Sequence, residues 1–424
     1  MWNSLGDLLK YIEIPRMFPA RQNFSSEEIQ DWREALKKAI KEAGAESSVH
    51  PGMRIAITAG SRGIDHIADY LRFIGECLRS QGAEPFVVPA MGSHGGATAS
   101  GQILVLKELG ISEESVGMPI RASMDTVLVG ITPGGLPAYT DRIASEADGI
   151  ILLNRVKAHT QFRGAYESGL LKMLAIGLGK QRGAECCHRL GLDHMSKNVE
   201  DISHFLLGRL PVLFGIGLIE NAYDHTMDIV GVPARELPDR EPALLERAKR
   251  NMPRICVPDM DVLIVDRIGK NFSGSGMDPN VTGRFYSKAV PAVPAAQRIT
   301  VLGLSNETHG NACGLGVADT TTRRVAEHLD RESMYINSLT SRVAESSRIP
   351  MYFETDREAI QAAIMLSGKR DPTQLRMARI SNTMQLEQIL LSEALLEEAQ
   401  CQGLQIIGPA EPMRFDRAGN LLTS

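Results

Sequence analysis

Within the stretch from His159 to His188, HTQFRGAYESGLLKMLAIGLGKQRGAECCH, lie two histidines, a lysine bedded among leucines and an adjacent pair of cysteines. Lys172 is the costly one. An ammonium in apolar surroundings loses its hydration, and is tolerated only when paired, neutralised or used covalently. The plainer reading is a lysine whose stem lies along a half-buried helix while its head reaches water. The stretch follows GIILLNRVKA, which reads as a buried strand from Gly149 to Asn154 opening into a polar loop. Chemistry in α/β proteins concentrates at such strand ends.

Other reactive side chains sit on loops of the same kind. Arg62 lies in the Gly-rich turn AGSRG, His94 in MGSHGGATAS, and Lys270 opens the run KNFSG. In an open α/β sheet these loops gather at one end, so Arg62, His94, His159 and Lys270 can converge on one pocket. Two histidines on separate loops suit a general acid and base poised near neutral pH. An arginine in a tight turn suits a carboxylate or phosphate. Singly, each motif is weak: GSHGG lacks the lysine and spacing of a P-loop, and AGSRGI is not G-x-G-x-x-G. Cys186, Cys187 and His188 read either as a metal cluster or as two structural cysteines beside a core histidine. Adjacent residues do not readily all reach one ion, which favours the second.

The elements that would position these loops alternate in type. Tyr11 to Phe18 reads as an edge strand containing Pro15, and Ser25-Ser26-Glu27-Glu28 as the cap of a helix running to about Lys41. Arg54 to Thr58 reads as a strand and Ile64 to Ser80 as an amphipathic helix. The same unit repeats in EPFVVPA and GQILVLKELG. Further strands are expected at residues 126–131, 149–154 and 211–219. ELPDREPALLERAKRN reads as a short helix in a polar connection, Val262 to Asp266 and QRITVLGL as strands, and the region from about Thr320 as a helix. The pattern implies an α/β protein of two Rossmann-like domains with mostly parallel sheets. The boundary is placed near residue 258, giving domains 1–258 and 259–424.

Composition narrows the class. At 424 residues, 43% hydrophobic and 23% charged, the chain reads as soluble and two-domain. A net charge of −5 and the lack of a basic stripe argue against nucleic acid. No run of eighteen apolar residues argues for a membrane span, and the N-terminal residues lack the pattern of a secretory signal. Six cysteines without C-x-x-C spacing fit reduced thiols in a cytoplasmic protein.

Taken together, Arg62, His94, His159, Lys172 and His188 resemble the signature of the nickel-dependent lactate racemase family. The Gly92-Ser93-His94 loop follows the Arg62 turn, and His159 follows that loop, in the order and at the intervals of the family pattern. Ser168-Gly169-Leu170-Leu171-Lys172 keeps a Ser-Gly-x-x-Lys frame, and His188 stands beyond the lysine where the pattern places its last histidine. The resemblance covers residues 54 to 188. It implies a nickel-pincer nucleotide (a pyridinium-3,5-bisthiocarboxylic acid mononucleotide carrying nickel) attached covalently to Lys172. It further implies His188 as a nickel ligand, His94 and His159 as acid/base groups, and Arg62, with Lys270, as the holders of a substrate carboxylate. Residues 1–258 would bind the cofactor, and 259–424 would close an interdomain cleft. The implied reaction is racemisation or epimerisation at the α-carbon of a 2-hydroxy acid, with cofactor-biosynthesis proteins as partners.

The sequence also departs from the family pattern. The link TQFRGAYE between His159 and Ser168 is longer than usual and adds Arg163, Tyr166 and Glu167. With the polar loops GKNFSGSGMDPNVTGR and SNETHGNACG, it suggests a pocket for a substrate larger and more hydroxylated than lactate, such as a sugar acid. Two other readings stay open. One is a zinc- or iron-dependent hydrolase or lyase using His94, His159 and His188. The other is a non-enzymatic protein that binds anionic metabolites.

Overall fold

The computed structural model describes residues 4–287, 290 and 295–422. They form two compact units: one of residues 25–252, the other joining the chain up to Phe24 with the chain from Pro253 onward.

In the unit of residues 25–252 a five-stranded sheet runs in the order Glu84–Pro89, Arg54–Ala59, Gly149–Arg155, Val212–Glu220, Thr226–Pro233. The first four strands are parallel and the last is antiparallel to its neighbour. Successive residues point to opposite faces, and both faces are buried. Ile55, Ile57, Val87, Ile151, Leu153 and Ile216 pack against Leu71, Ile74 and Leu78 of the helix Ile67–Ser80. On the other face Ala56, Phe86, Val88, Ile150 and Leu152 join Leu170, Leu171 and Leu174, together with the helices Met195–Leu207 and Leu237–Asn251. Burial on both faces is why these strands read as unbroken apolar runs. Each fully buried leucine or isoleucine contributes roughly 1.5–3 kcal/mol.

Three local expectations change here. The helix expected from Ser25 begins at Trp32, capped by Asp31, whose side chain accepts the Glu34 N–H. Residues 27–29 are held instead by tertiary hydrogen bonds. Ile29 N–H reaches Thr226 O, Asn221 Nδ2 reaches Glu27 O, and Glu28 pairs with His225. The strand Thr126–Ile131 pairs with Pro137–Asp141 in a separate two-stranded ribbon. The short helix in the polar connection is fifteen residues long, Leu237–Asn251.

In the other unit an eight-stranded sheet is described, in the order Met351–Phe353, Thr320–Thr322, Ala295–Val301, Asp259–Val265, Met377–Ile380, Gln388–Ser392, Met17–Arg21, Gln405–Ile406. The first five strands are parallel and the last three alternate in direction. The strand expected over residues 11–18 is Met17–Arg21, and it lies inside this sheet. Its register runs from Met17 opposite Ser392 to Arg21 opposite Gln388. That ladder differs from the division expected at residue 258, because it places the chain up to Phe24 with the C-terminal unit and the boundary at 252/253. Thr320–Thr322 is a strand, and the helix Arg323–Glu327 follows it, capped by Thr322. Among the described residues no helix is long and apolar enough to cross a membrane.

Candidate active site

Lys172 lies where the strand Gly149–Arg155 has turned back on itself. A bridge between Lys157 and Ser168 closes the loop, and Asn154 Nδ2 donates to Gly169 O at 3.0 Å. The chain then enters a short helix, Leu170–Lys172, and a turn of π-helix, Met173–Gly177. Such π turns place side chains out of ordinary helical register and recur at functional sites. The helix start has no cap from its own sequence. Its orphan N–H groups are met by Glu241, far downstream in the chain, whose carboxylate accepts Leu171 N–H at 2.9 Å. Gly169 is required here, because a Cβ would sit 2.1 Å from the Glu241 Oε1.

The His94 loop abuts the same π turn. Gly92, in the left-handed region at φ 62°, donates its N–H to Gly177 O at 3.1 Å. Gln102 Nε2 donates to Gly92 O at 2.9 Å and to His94 O at 3.4 Å. Gln102 Oε1 in turn accepts from Lys180 Nζ at 3.0 Å, and that ammonium also donates to Pro89 O and lies 3.1 Å from Asp141. Lys180, Asp141 and Gln102 are fully buried, so a polar core joins the His94 loop to the helix Lys180–His188.

The two histidines carry opposite tautomers. His94 Nδ1 lies 2.7 Å from Met91 O. A carbonyl only accepts, so His94 bears its proton on Nδ1 and a lone pair on Nε2. His159 Nδ1 accepts Gln161 N–H at 3.1 Å, which puts the proton of neutral His159 on Nε2. His159 stacks at 4.3 Å on Phe162, and its own N–H is held by the buried Glu167 carboxylate at 2.8 Å. Arg62 follows the strand Arg54–Ala59, in a turn anchored by Glu220, which accepts Asp65 N–H at 2.9 Å. His188 ends the helix Lys180–His188.

Electrostatics tie these groups together. Burial holds the Lys172 ammonium down at about 7, helped by the charges of Arg62 and Lys157. Burial also holds His159 well below its ordinary value, with Lys172 and His188 adding to the effect. Arg62 is lowered by burial as well. Lys172, His159 and His188 are each only partly closed to solvent, and Arg62 is open to it. Water still reaches these groups, while neighbouring atoms strip part of their hydration. At neutral pH His159 and a large fraction of Lys172 are neutral. Cys187, fully buried, has its thiol pushed up to about 12 by burial and is inert.

The comparisons with known proteins bear on the same residues. Residues 13–199 match the model of the lactate racemase N-terminal domain. The match is to the N-terminal part of the chain, so the chain is similar there to lactate racemases. The chain is similar to the solved lactate racemase apoprotein from Thermoanaerobacterium thermosaccharolyticum at 13% identity. That alignment covers 83% of this chain and 86% of that one, with a TM-score of 0.44. Among curated proteins no match was found.

Lys172, His159, His188 and Arg62 interact electrostatically, and the Gly92 N–H to Gly177 O hydrogen bond brings the His94 loop against the π turn after Lys172. Lys270 lies in the other unit, where its Nζ donates to Gly274 O at 2.7 Å. Among the described residues no three His, Cys, Asp or Glu side chains cluster as metal ligands. A three-histidine zinc or iron centre built from His94, His159 and His188 therefore has no geometric support. The longer link after His159, expected to widen the pocket, is turned inward. Tyr166 is buried and donates to Pro238 O at 2.8 Å, while Glu167 receives Arg163 and Lys249. Glu241, Gln102 and Lys180 were not singled out in the sequence. The signals were a glutamine inside the apolar run GQILVLK and a second lysine after Gly-Leu-Gly.

Proposed function

We propose that the protein is a racemase or epimerase acting at the α-carbon of a 2-hydroxy acid, with a polyhydroxylated sugar acid as the preferred substrate class. The observation that carries the proposal is Lys172: a partly buried amine, held down at about 7, interacting with His159, which in turn interacts with His188. A neutral amine at physiological pH is a nucleophile ready for acylation, which fits covalent attachment of a nickel-pincer nucleotide. One imidazole, His188, fits the single protein ligand such a cofactor needs. When bound, that cofactor supplies the hydride acceptor for the α-hydrogen.

The chain's own residues supply the rest. Arg62 holds the substrate carboxylate by its guanidinium fork. His94, with its lone pair on Nε2, takes the hydroxyl proton of one enantiomer. His159, on the opposite side, would serve the hydroxyl of the other enantiomer by cycling between imidazole and imidazolium.

Co-expression with cofactor-biosynthesis enzymes, followed by intact mass and metal analysis, tests the reading. The expected result is an adduct on the Lys172 peptide and about one nickel per chain. His188→Ala should lose nickel, whereas His94→Ala and His159→Ala should keep nickel and lose turnover. Loading without an adduct on Lys172, or full activity in both acid/base variants, would overturn it. Greater activity on lactate than on aldonic acids would refute the substrate class alone.

A further inference from the structure

In the unit that includes residues 253–422, the strands Asp259–Val265, Ala295–Val301, Thr320–Thr322 and Met377–Ile380 are parallel, so their carboxyl ends lie on one edge. Asp259–Val265 comes first of these in the chain. The next strand lies on one side of it and the last, Met377–Ile380, on the other. Connections leaving such neighbours diverge, and the crevice between them is where open α/β sheets bind ligands. A cleft of about 1140 Å³ opens there, lined by residues that follow each of the four strands: Arg267, Ser305, Arg324 and Ser381 among them.

The charges lining the cleft are not evenly matched. Arg379 clamps Asp266 through two bonds of 2.8 and 2.9 Å. Arg324 Nη2 donates to Asp356 and to Leu302 O, both at 2.9 Å. Those four charges cancel in pairs. Arg267 is exposed, and among the described residues its guanidinium makes no hydrogen bond or ion pair. His309, which also lines the cleft, ends the short helical turn Asn306–Thr308 at φ 46°, a left-handed conformation uncommon for a residue with a Cβ. Conformations of this kind collect where a side chain is needed at a binding site. His328 Nδ1 lies 2.7 Å from Arg324 O, so its proton is on Nδ1 and Nε2 offers an acceptor. Arg267 thus offers a charged fork, His328 an acceptor, and Ser381 a hydroxyl at the exposed rim.

We infer that this cleft binds a small organic anion with one carboxylate or phosphate head and hydroxyl groups along its body. The head pairs with Arg267, and the hydroxyls bond His309, His328 and Ser381. The cleft is lined by residues of this unit alone, and binding to cofactor-free protein can be read apart from the proposed reaction.

Titration calorimetry on the full chain without cofactor tests it, at low salt, with D-gluconate, 3-phosphoglycerate and neutral sorbitol as probes. At least one anion should bind with a Kd below about 1 mM, weakening as salt rises, while sorbitol should not bind. The preferred anion tells carboxylate from phosphate. Arg267→Glu, at an exposed position, should weaken binding by about tenfold or more. His309→Gly should also weaken it while holding or raising the melting temperature, since glycine accepts the left-handed backbone. Arg414→Glu, outside the cleft, should change nothing. The inference fails if neither anion binds, or if binding survives Arg267→Glu. It fails equally if binding is abolished only by Arg62→Ala, which would place the anion at the other site.

Discussion

The Glu241 carboxylate accepts the backbone N–H of Leu171 at 2.9 Å, one residue before Lys172. A buried acid thus caps the short helix that presents the lysine, and burial raises its carboxyl to about 7.

Because that value lies above the ordinary glutamate range, the folded state binds the proton more tightly than the unfolded chain. The group's contribution to stability is full below about pH 4.5 and is lost as pH rises through about 7. Glu241→Gln should flatten this part of the stability–pH profile in urea titrations. Glu241→Ala should cost about 1–3 kcal/mol, since it leaves the helix N–H groups unsatisfied.

For Lys172 the sign is reversed. Its folded value, about 7, lies below that of a free lysine, so the unfolded chain binds more protons between about pH 7 and 10.5. Its contribution to stability is present above that window and is lost as pH falls through about 7. In cofactor-free protein, Lys172→Met should therefore raise stability at pH 6–7 by on the order of 1–3 kcal/mol and remove the rise toward pH 10. An amine-acylating reagent at pH 7.5 should label Lys172 ahead of the exposed lysines. Equal labelling would show the amine to be ordinary.

Glu167 holds His159 N–H at 2.8 Å and Lys249 at 3.0 Å from a fully buried position. Glu167→Gln should leave the protein folded but let the His159 loop shift. Turnover of the loaded enzyme should then fall by roughly 10- to 100-fold with little change in nickel content. Unchanged turnover would remove Glu167 from the positioning of His159.

The Lys180–Asp141 pair is buried on both sides, at 3.1 Å. Desolvation is the largest influence on each partner, lowering the lysine and raising the aspartate. Lys180→Met alone should cost about 3–5 kcal/mol by stranding a buried carboxylate. Asparagine at 141 can still accept the Ala144 N–H that caps the next helix. The double variant Lys180→Met/Asp141→Asn should therefore recover much of the loss in chemical denaturation.

The sequence by itself determined the strand–turn–helix units, because apolar runs and Gly-rich turns are local signals. It also singled out Lys172, since a lysine among leucines is costly wherever it folds. Tertiary structure alone decided what makes that lysine tolerable. Glu241 lies far downstream of the Leu171 N–H it caps, and Gln102 and Lys180 meet from distant parts of the chain. No spacing rule links such partners, because the sheet brings them together. The same reason hid the placement of Met17–Arg21. Its hydrogen-bonding partner opposite Met17 is Ser392, and a strand's own residues specify its faces but not which distant strand will complete its ladder.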